Sequence, residues 1–306
     1  MKILLTGSNG MVGKNIIEQN LDDSLTFLTP SKKELNLNNY NLVCDYIKKN
    51  KPSFIVHAAG VVGGIIFNMN NQAYSLTENM NIGLNIVNAA KNNNVKNFIN
   101  ISSSCIYPRN LNKPIHESEL LSGYLEPTNE GYAIAKIAML KLCNFISHDK
   151  SLNYKTVIPC NLFGKYDHFD ENNSHLIPSL IKRIHEAKTS NIDSIKMWGD
   201  GSARREFMYA SDFGNFIQYA IKNFSMMPLN LNVGLGYDYS IQDYYEKVAE
   251  VINYSGKFIK DNSMPVGMKN KLIDSKELKK FGWTAKTDLT SGILQTFNYY
   301  KKNVIK

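Results

Sequence analysis

Cysteine is scarce in this sequence: Cys44, Cys105, Cys143 and Cys160 are the only four in 306 residues, and none forms a C-x-x-C pair. That excludes a zinc ribbon and a disulfide framework as the basis of the fold. Cys44 and Cys143 fall in amphipathic helical patterns and read as core packing. The six histidines show no H-E-x-x-H or other ligand spacing, so no metal is expected. No apolar run approaches the ~18 residues that span a bilayer, so no membrane partner is expected. Met1-Lys2 leads straight into Ile3-Leu4-Leu5, which leaves no room for a cleaved signal peptide, and a cytoplasmic protein is expected. Internal repeats, low-complexity tracts and flexible linkers are also missing. A basic stripe is absent too, although 35 Lys and Arg against 27 Asp and Glu give a net charge of +8. The lysines are spread out, with short clusters only at Lys32-Lys33, Lys48-Lys49 and Lys301-Lys302, so nucleic acid is not an expected partner. A solvated Asn- and Lys-rich surface and an attraction for polyanionic small molecules both account for the charge.

The length exceeds that of one ordinary compact domain. Up to about residue 164 the chain alternates short apolar runs with helical periodicity. Lys2–Thr6, Leu25–Leu28, Phe54–Ala58, Phe98–Ile101 and Lys155–Pro159 read as strands. Val12–Gln19, Tyr40–Lys49, Leu76–Asn92 and Gly131–Ser147 read as helices. This alternation predicts an α/β fold of Rossmann type, a doubly wound parallel sheet built from βαβ units. After Gly164 the rhythm breaks: a polar stretch, Lys165–Ser174, precedes a helix over Ile177–Lys188, and short strands, turns and a final helix near Leu289–Lys302 follow Asn232. The expected division is a nucleotide-binding domain over 1–164, completed by roughly 208–240, and a smaller interleaved α+β substrate domain over 165–207 and 241–306.

The first strand runs into Gly7-Ser8-Asn9-Gly10-Met11-Val12-Gly13 and then a helix. Glycines there permit a tight turn and close backbone approach to a pyrophosphate, and the helix N-terminus supplies N–H groups. The spacing is G-x-x-G-x-x-G, and its position between strand and helix is the context that gives it weight. NAD-binding folds usually place an acid after strand two for the ribose 2′-hydroxyl. Here Thr29-Pro30-Ser31-Lys32-Lys33 stands instead, with no acid before Glu34. A missing carboxylate and a nearby ammonium favour NADP, with Lys32 a candidate for the 2′-phosphate.

Tyr132-Ala133-Ile134-Ala135-Lys136 places a phenol and an ammonium on one helix face. A neighbouring ammonium favours phenolate and brings a phenol of pKa ~10 toward working pH, which suits proton transfer at a carbonyl oxygen. Upstream, the strand ending at Ile101 delivers Ser102-Ser103-Ser104 to the edge where open α/β sheets bind ligands. Glycine turn, strand-end serine and Y-x-x-x-K in this order resemble the extended short-chain dehydrogenase/reductase superfamily.

A narrower resemblance is carried by Ser103-Ser104-Cys105-Ile106-Tyr107-Pro108, Leu125-Glu126-Pro127-Thr128-Asn129-Glu130, Asn173-Ser174-His175, Arg205-Glu206-Phe207, Val62-Gly63-Gly64-Ile65 and Glu34-Leu35-Asn36-Leu37. From the first strand to about Trp283 the chain resembles the GDP-L-fucose synthase family. That resemblance implies C3/C5 epimerisation of a GDP-4-keto-6-deoxy sugar followed by NADPH reduction of C4. It implies Ser103, Tyr132 and Lys136 as the reducing triad, and Cys105 and His175 as the groups that exchange protons at the sugar carbons. Cofactor contacts are expected from Gly7, Ser8, Asn9, Gly10, Met11, Val12, Gly13, Lys32, Ala58, Ala59, Tyr132, Lys136, Pro159, Asn161, Leu162 and His175. Sugar-nucleotide contacts are expected from Val62, Gly63, Ser104, Cys105, Asn161, Arg183, Trp198, Arg205 and Lys271, with the arginines and Lys271 near the diphosphate and Trp198 near the base. The resemblance further implies a homodimer built on the helices around Leu76–Asn92 and Gly131–Ser147.

Departures from the family pattern cluster on loops. Ser8-Asn9 stands for a common His-Arg, Val61 for a lysine, Gly131 for a proline, Lys165-Tyr166 for Pro-His and Lys269-Asn270-Lys271 for Pro-Arg-Lys. They leave the sugar open between hexose and heptose, and leave open a C4-reductase that acts after a separate epimerase. A 4,6-dehydratase calls for a carboxylate pair after the strand-end hydroxyl, which Ser104-Cys105 does not supply. A 4-epimerase with tightly held NAD is a further alternative. A non-catalytic NADP-binding regulator is the reading from another class, and the presence of both Tyr132 and Lys136 opposes it.

Overall fold

The computed structural model describes residues 1–111, 113–148, 151–170 and 174–305. Asn173, quoted above, lies outside the described residues. The chain opens with β1 (Lys2–Thr6), α1 (Met11–Glu18), β2 (Thr26–Leu28), α2 (Tyr40–Asn50), β3 (Phe54–His57), α3 (Ile65–Asn70), α4 (Gln72–Asn92) and β4 (Asn97–Ile101). It continues through α5 (Glu130–His148), β5 (Asn153–Pro159), β6 (Asn161–Phe163), α6 (Leu176–Thr189), β7 (Ser194–Trp198), β8 (Arg204–Arg205), β9 (Phe207–Tyr209) and α7 (Ala210–Lys222). Last come β10 (Asn230–Val233), β11 (Tyr239–Ser240), α8 (Ile241–Ile252), β12 (Lys257–Asp261), α9 (Lys276–Phe281) and α10 (Leu289–Asn303).

Six strands pair in the order β10-β5-β4-β3-β1-β2, all parallel. Side chains alternate across a strand, and both faces of a parallel sheet must be covered. Ile3 and Leu5 therefore join Ile16, Phe213, Phe216 and Ile217 under α1 and α7. Leu4 points the other way, with Ile55 and Phe98, against Val43, Val87 and Cys143 of α2, α4 and α5. The expected doubly wound α/β sheet is present. A separate core gathers Phe163, Ile177, Ile181, Tyr244, Val248, Ile293 and Phe297 from elements that follow the fifth strand.

The strand order reverses at β1, whose neighbours β2 and β3 lie on opposite sides. Open α/β sheets bind ligands at such a crevice, beyond the C-terminal strand ends. Gly7 follows β1 there, and Ala58 follows β3. Three helices depart from the sequence reading. Where turns were expected after Asn232, α8 forms a 12-residue helix, started by a capping box in which Ser240 Oγ accepts from the Asp243 N–H and Asp243 accepts from the Ser240 N–H. The six-residue α3 is new, and α4 begins at Gln72, four residues before the expected start. No helix among the described residues is long and apolar enough to cross a membrane.

Candidate active site

A cavity of about 380 Å³ opens beyond the C-terminal strand ends, within the range of small-molecule sites. Its walls come from both sides of the molecule. The sheet contributes Met11, Val12, Ala58, Ser103, Cys105, Tyr132 and Lys136, and the later elements contribute His175, Arg183, Trp198, Arg205 and Lys271. Val62, Gly63, Pro159, Asn161 and Leu162 also line it. Gly7, Ser8, Asn9, Gly10, Gly13, Lys32, Ala59 and Ser104 do not, and Ser104 is buried in the 3-10 turn Ser104–Ile106.

The glycine turn is a cradle that side chains would fill. Gly7 has φ +72°, and a Cβ there would lie 2.6 Å from the Ala59 amide nitrogen. A Cβ on Gly13 would lie 2.3 Å from the Gly7 carbonyl oxygen. Gly10 donates its N–H to the Gly7 carbonyl (3.1 Å), and as N-cap of α1 it offers no side chain to the helix amides. Those amides are therefore available to an anion. Ser8 Oγ, in the same turn, is buried without a partner among the described residues. Bare helix amides, an orphan hydroxyl and a space closed to Cβ atoms fit the pyrophosphate of a dinucleotide. Lys32 is exposed, and its neighbour Ser31 donates its N–H to Glu34 (2.8 Å).

Ser103 ends the extended run after β4, and its Oγ accepts the Cys105 N–H at 3.3 Å. Tyr132 and Lys136 sit one turn apart at the start of α5, each only 7% exposed. The Lys136 ammonium donates to the Ile101 carbonyl (3.0 Å) and stands 5.7 Å from the Tyr132 ring centre. Burial pushes the Lys136 ammonium down to about 8. Burial and then the charge of Cys105 push the Tyr132 phenol well above its ordinary value, against a hydrogen bond with Ser103. The sequence predicted a phenol drawn toward phenolate by Lys136. Burial works in the opposite sense and favours the neutral phenol, the form that carries the proton a reduction must deliver.

His175 stands at the N-cap of α6 but makes no capping bond. Burial, and then Lys271 and His168, push its imidazole down to about 4. The Cys105 sulfur accepts from Lys271 Nζ at 3.2 Å and from Asn129 Nδ2 at 3.3 Å. Burial raises the Cys105 thiol, but Lys271, Ser103 and Arg205 together hold it below its ordinary value. Arg183 donates to the Tyr245 hydroxyl (3.1 Å) and to the Lys196 carbonyl. Arg205 donates to the carbonyls of Arg204 (2.7 Å) and Val266 (2.8 Å). Asn161 is turned by donating to the Glu206 carbonyl (2.9 Å). Sequence reasoning assigned no role to Asn129, Glu126 or Ser102, which also line the cavity. Asn129 lay inside a quoted string, and its contact with a sulfur 24 residues away is a product of folding.

The NAD dependent epimerase/dehydratase family pattern matches residues 3–234. A GDP-L-colitose synthase of Yersinia pseudotuberculosis is 52% identical over 301 residues, covering 98% of this chain and 98% of its own. A GDP-L-fucose synthase of Azorhizobium caulinodans is 43% identical over 299 residues, covering 98% of this chain and 96% of its own. The chain belongs to the GDP-L-fucose synthase family, within the NAD dependent epimerase/dehydratase family. Among solved structures, a GDP-mannoheptose C4 reductase from Campylobacter jejuni with NADP bound superposes with a TM-score of 0.88 at 28% identity, covering 98% of both chains.

Within this family the local departures have structural counterparts. At position 131, where the family commonly has proline, the glycine N–H donates to Gln72 Oε1 (2.7 Å), and Gln72 Nε2 donates to the Pro127 carbonyl (2.6 Å). Proline offers no N–H for that clamp. Val61 is held through its backbone, donating to Asn79 Oδ1 (3.0 Å) and accepting from Asn79 Nδ2 (2.9 Å), which a different side chain at this position leaves possible. Lys165 pairs with Glu18 at 2.8 Å.

Proposed function

We propose that this protein reduces the C4 ketone of a GDP-4-keto-6-deoxy sugar with NADPH, after exchanging protons at the carbons beside that ketone. The observation that carries the reading is that Ser103, Tyr132 and Lys136 share one cavity with Cys105 and His175. The glycine cradle would hold NADPH, which when bound would supply the hydride for C4. Tyr132 gives its phenolic proton to the ketone oxygen, Ser103 hydrogen-bonds the same oxygen, and Lys136 stabilises the phenolate left behind. The same ketone acidifies the neighbouring C–H groups, because the released electron pair enters an enolate whose oxygen Ser103 and Tyr132 bind. Cys105 and His175 take and return the protons. Arg183, Arg205 and Trp198 suit the diphosphate and base. NADP rather than NAD agrees with the missing acid after β2 and with the NADP-bound relative.

The test begins in D2O without NADPH. Deuterium entering the substrate beside C4 is expected, followed by NADPH oxidation once cofactor is added, with NMR of the product. The panel is GDP-4-keto-6-deoxymannose, its 3-deoxy counterpart and a GDP-4-keto heptose, because the relatives are named for fucose, colitose and mannoheptose. No NADPH oxidation with any of them refutes the reading. A second reading, reduction without epimerisation, is favoured by the relative titled a C4 reductase; NADPH oxidation without deuterium entry would select it. A homodimer in the cytoplasm completes the proposal: Tyr74 of α4 and Ile134 and Phe145 of α5 expose 52%, 42% and 66% of their surface, and sedimentation equilibrium reads the mass.

A further inference from the structure

We propose that Lys271 and Asn129 form a two-donor cradle that holds the Cys105 sulfur as a thiolate, which makes Lys271 a positioning residue of the proton-exchange step. The inference rests on the function proposed above and reassigns Lys271, which the resemblance placed at the diphosphate.

Two N–H donors converge on one sulfur. Lys271 Nζ is 3.2 Å away and Asn129 Nδ2 is 3.3 Å away. Lys271 is only 7% exposed, and its buried ammonium donates to Cys105 Sγ. Asn129 turns its amide nitrogen to the sulfur even though this leaves Oδ1 buried without a partner among the described residues. A neutral thiol is a poor acceptor and repays neither donor well; a thiolate accepts both.

Both donors are held from behind. Lys271 precedes a segment clipped to the sheet side: Ile115 donates to the Leu272 carbonyl (2.9 Å), and Asp274 donates to the Ile115 carbonyl (2.9 Å). The buried Glu206 carboxylate accepts the Ile273 N–H at 3.2 Å and the Gly236 N–H at 2.9 Å. Asn129 closes the 3-10 turn Pro127–Asn129, which Glu126 caps through the Thr128 N–H (3.3 Å) and Gln72 grips at the Pro127 carbonyl. The ammonium thus reaches across 166 residues to a fixed point.

Among the described residues, the charged and titratable groups that act on the sulfur include Lys271, Arg205 from β8 and the Tyr132 phenol from α5, with Glu126 and Asp238 acting on Arg205 in the opposite sense. Two cations against one neutral phenol favour the charged sulfur. In the step itself the C–H bond beside the ketone breaks, its proton passes to Sγ, and its electron pair enters the enolate. Lys271 keeps all its protons throughout; its ammonium stabilises the sulfur before the transfer and loses that charge contact after it.

The test is iodoacetamide alkylation of the full-length protein across pH, read at Cys105 by peptide mass with Cys44 in the same sample as control. Wild type is expected to alkylate at Cys105 with a midpoint below the ordinary thiol value of about 8.5. Lys271→Met should raise that midpoint by about one unit or more and cut alkylation at neutral pH roughly tenfold. Asn129→Asp, which is equal in size and sets a carboxylate against the sulfur, should raise it as well. Lys271→Arg keeps the charge and the low midpoint, which guards against a folding defect in the Met variant. Deuterium entry in Lys271→Met should recover as pH rises to about 9, where an ordinary thiol ionises. Unchanged midpoints in both Lys271→Met and Asn129→Asp overturn the cradle. So does a loss of deuterium entry of the same size at every pH, which would mark Lys271 as a diphosphate ligand. Full deuterium entry in Cys105→Ser would instead remove Cys105 from the proton exchange assigned to it above, while absent NADPH oxidation would sink the proposed reduction itself.

Discussion

Gly131→Ala tests how closely α4 and α5 must approach for Tyr132 to sit where it does. A Cβ at position 131 would lie 2.4 Å from the Gln72 backbone oxygen, whereas ordinary contact begins at 3.4 Å, so the two helix starts must part by about 1 Å (3.4 − 2.4). The obstacle is backbone, with no flexible side-chain end to swing aside. Overpacking of this kind costs about 1–3 kcal/mol, and alanine's better helix propensity returns at most about 1 kcal/mol. The net loss, up to about 3 kcal/mol, lowers Tm by up to about 5 °C in a chain of this size. Residue 131 adjoins Tyr132, and a displacement of about 1 Å at a proton donor costs up to about a hundredfold in rate. Gly131→Pro should be worse, because it also removes the N–H that Gln72 Oε1 accepts at 2.7 Å, a further ~0.5–1.5 kcal/mol. The assays are thermal unfolding and NADPH oxidation at saturating substrate. A Gly131→Ala protein with undiminished Tm and kcat would refute the reasoning, and a neutral Gly131→Pro would refute the clamp.

Three further outcomes are expected. Tyr132→Phe should lower NADPH oxidation by about 10²–10⁴, the usual worth of a general acid, while cofactor fluorescence still reports binding. Gly13→Ala should abolish cofactor binding by calorimetry, since its Cβ would lie 2.3 Å from the Gly7 carbonyl. Lys136, held down to about 8 by burial, is an ammonium below that pH and a neutral amine above it. The profile of kcat/KM for reduction should therefore fall as pH rises through about 8, and Lys136→Arg, whose guanidinium stays charged, should remove that alkaline limb.

Where local pattern and tertiary environment agree, the fold was legible. β1 and the glycine turn declare themselves through Ile3-Leu4-Leu5 and three glycines, and the parallel sheet follows from the alternation. The six residues of α3 are too few to show a 3.6-residue period, and the start of α4 hides behind polar Gln72. The helix α8 was legible in principle, since Ser240-x-x-Asp243 is a start signal, but the expectation of turns after Asn232 overrode it. In the site, residue types and their order identified the reacting groups, yet protonation states depend on burial. Y-x-x-x-K spacing pointed to a phenol pulled toward phenolate, and the enclosure of Tyr132 acts in the opposite sense. Nor does spacing say that the ammonium at position 271 meets the sulfur at position 105.

The cavity wall that faces away from the sheet is assembled from separated stretches of chain: His175 at the N-cap of α6, Arg183 on that helix, Trp198 at the end of β7, Arg205 on β8 and Lys271 before α9. Between Arg205 and Lys271 the chain returns to the sheet, laying α7 against α1 and adding β10 as its edge strand. No single cut therefore releases that wall as a transplantable cassette. Altered sugar preference in relatives of this protein has to accumulate through point changes around a shared frame, and a chimera joined at one crossover would carry half a pocket from each parent.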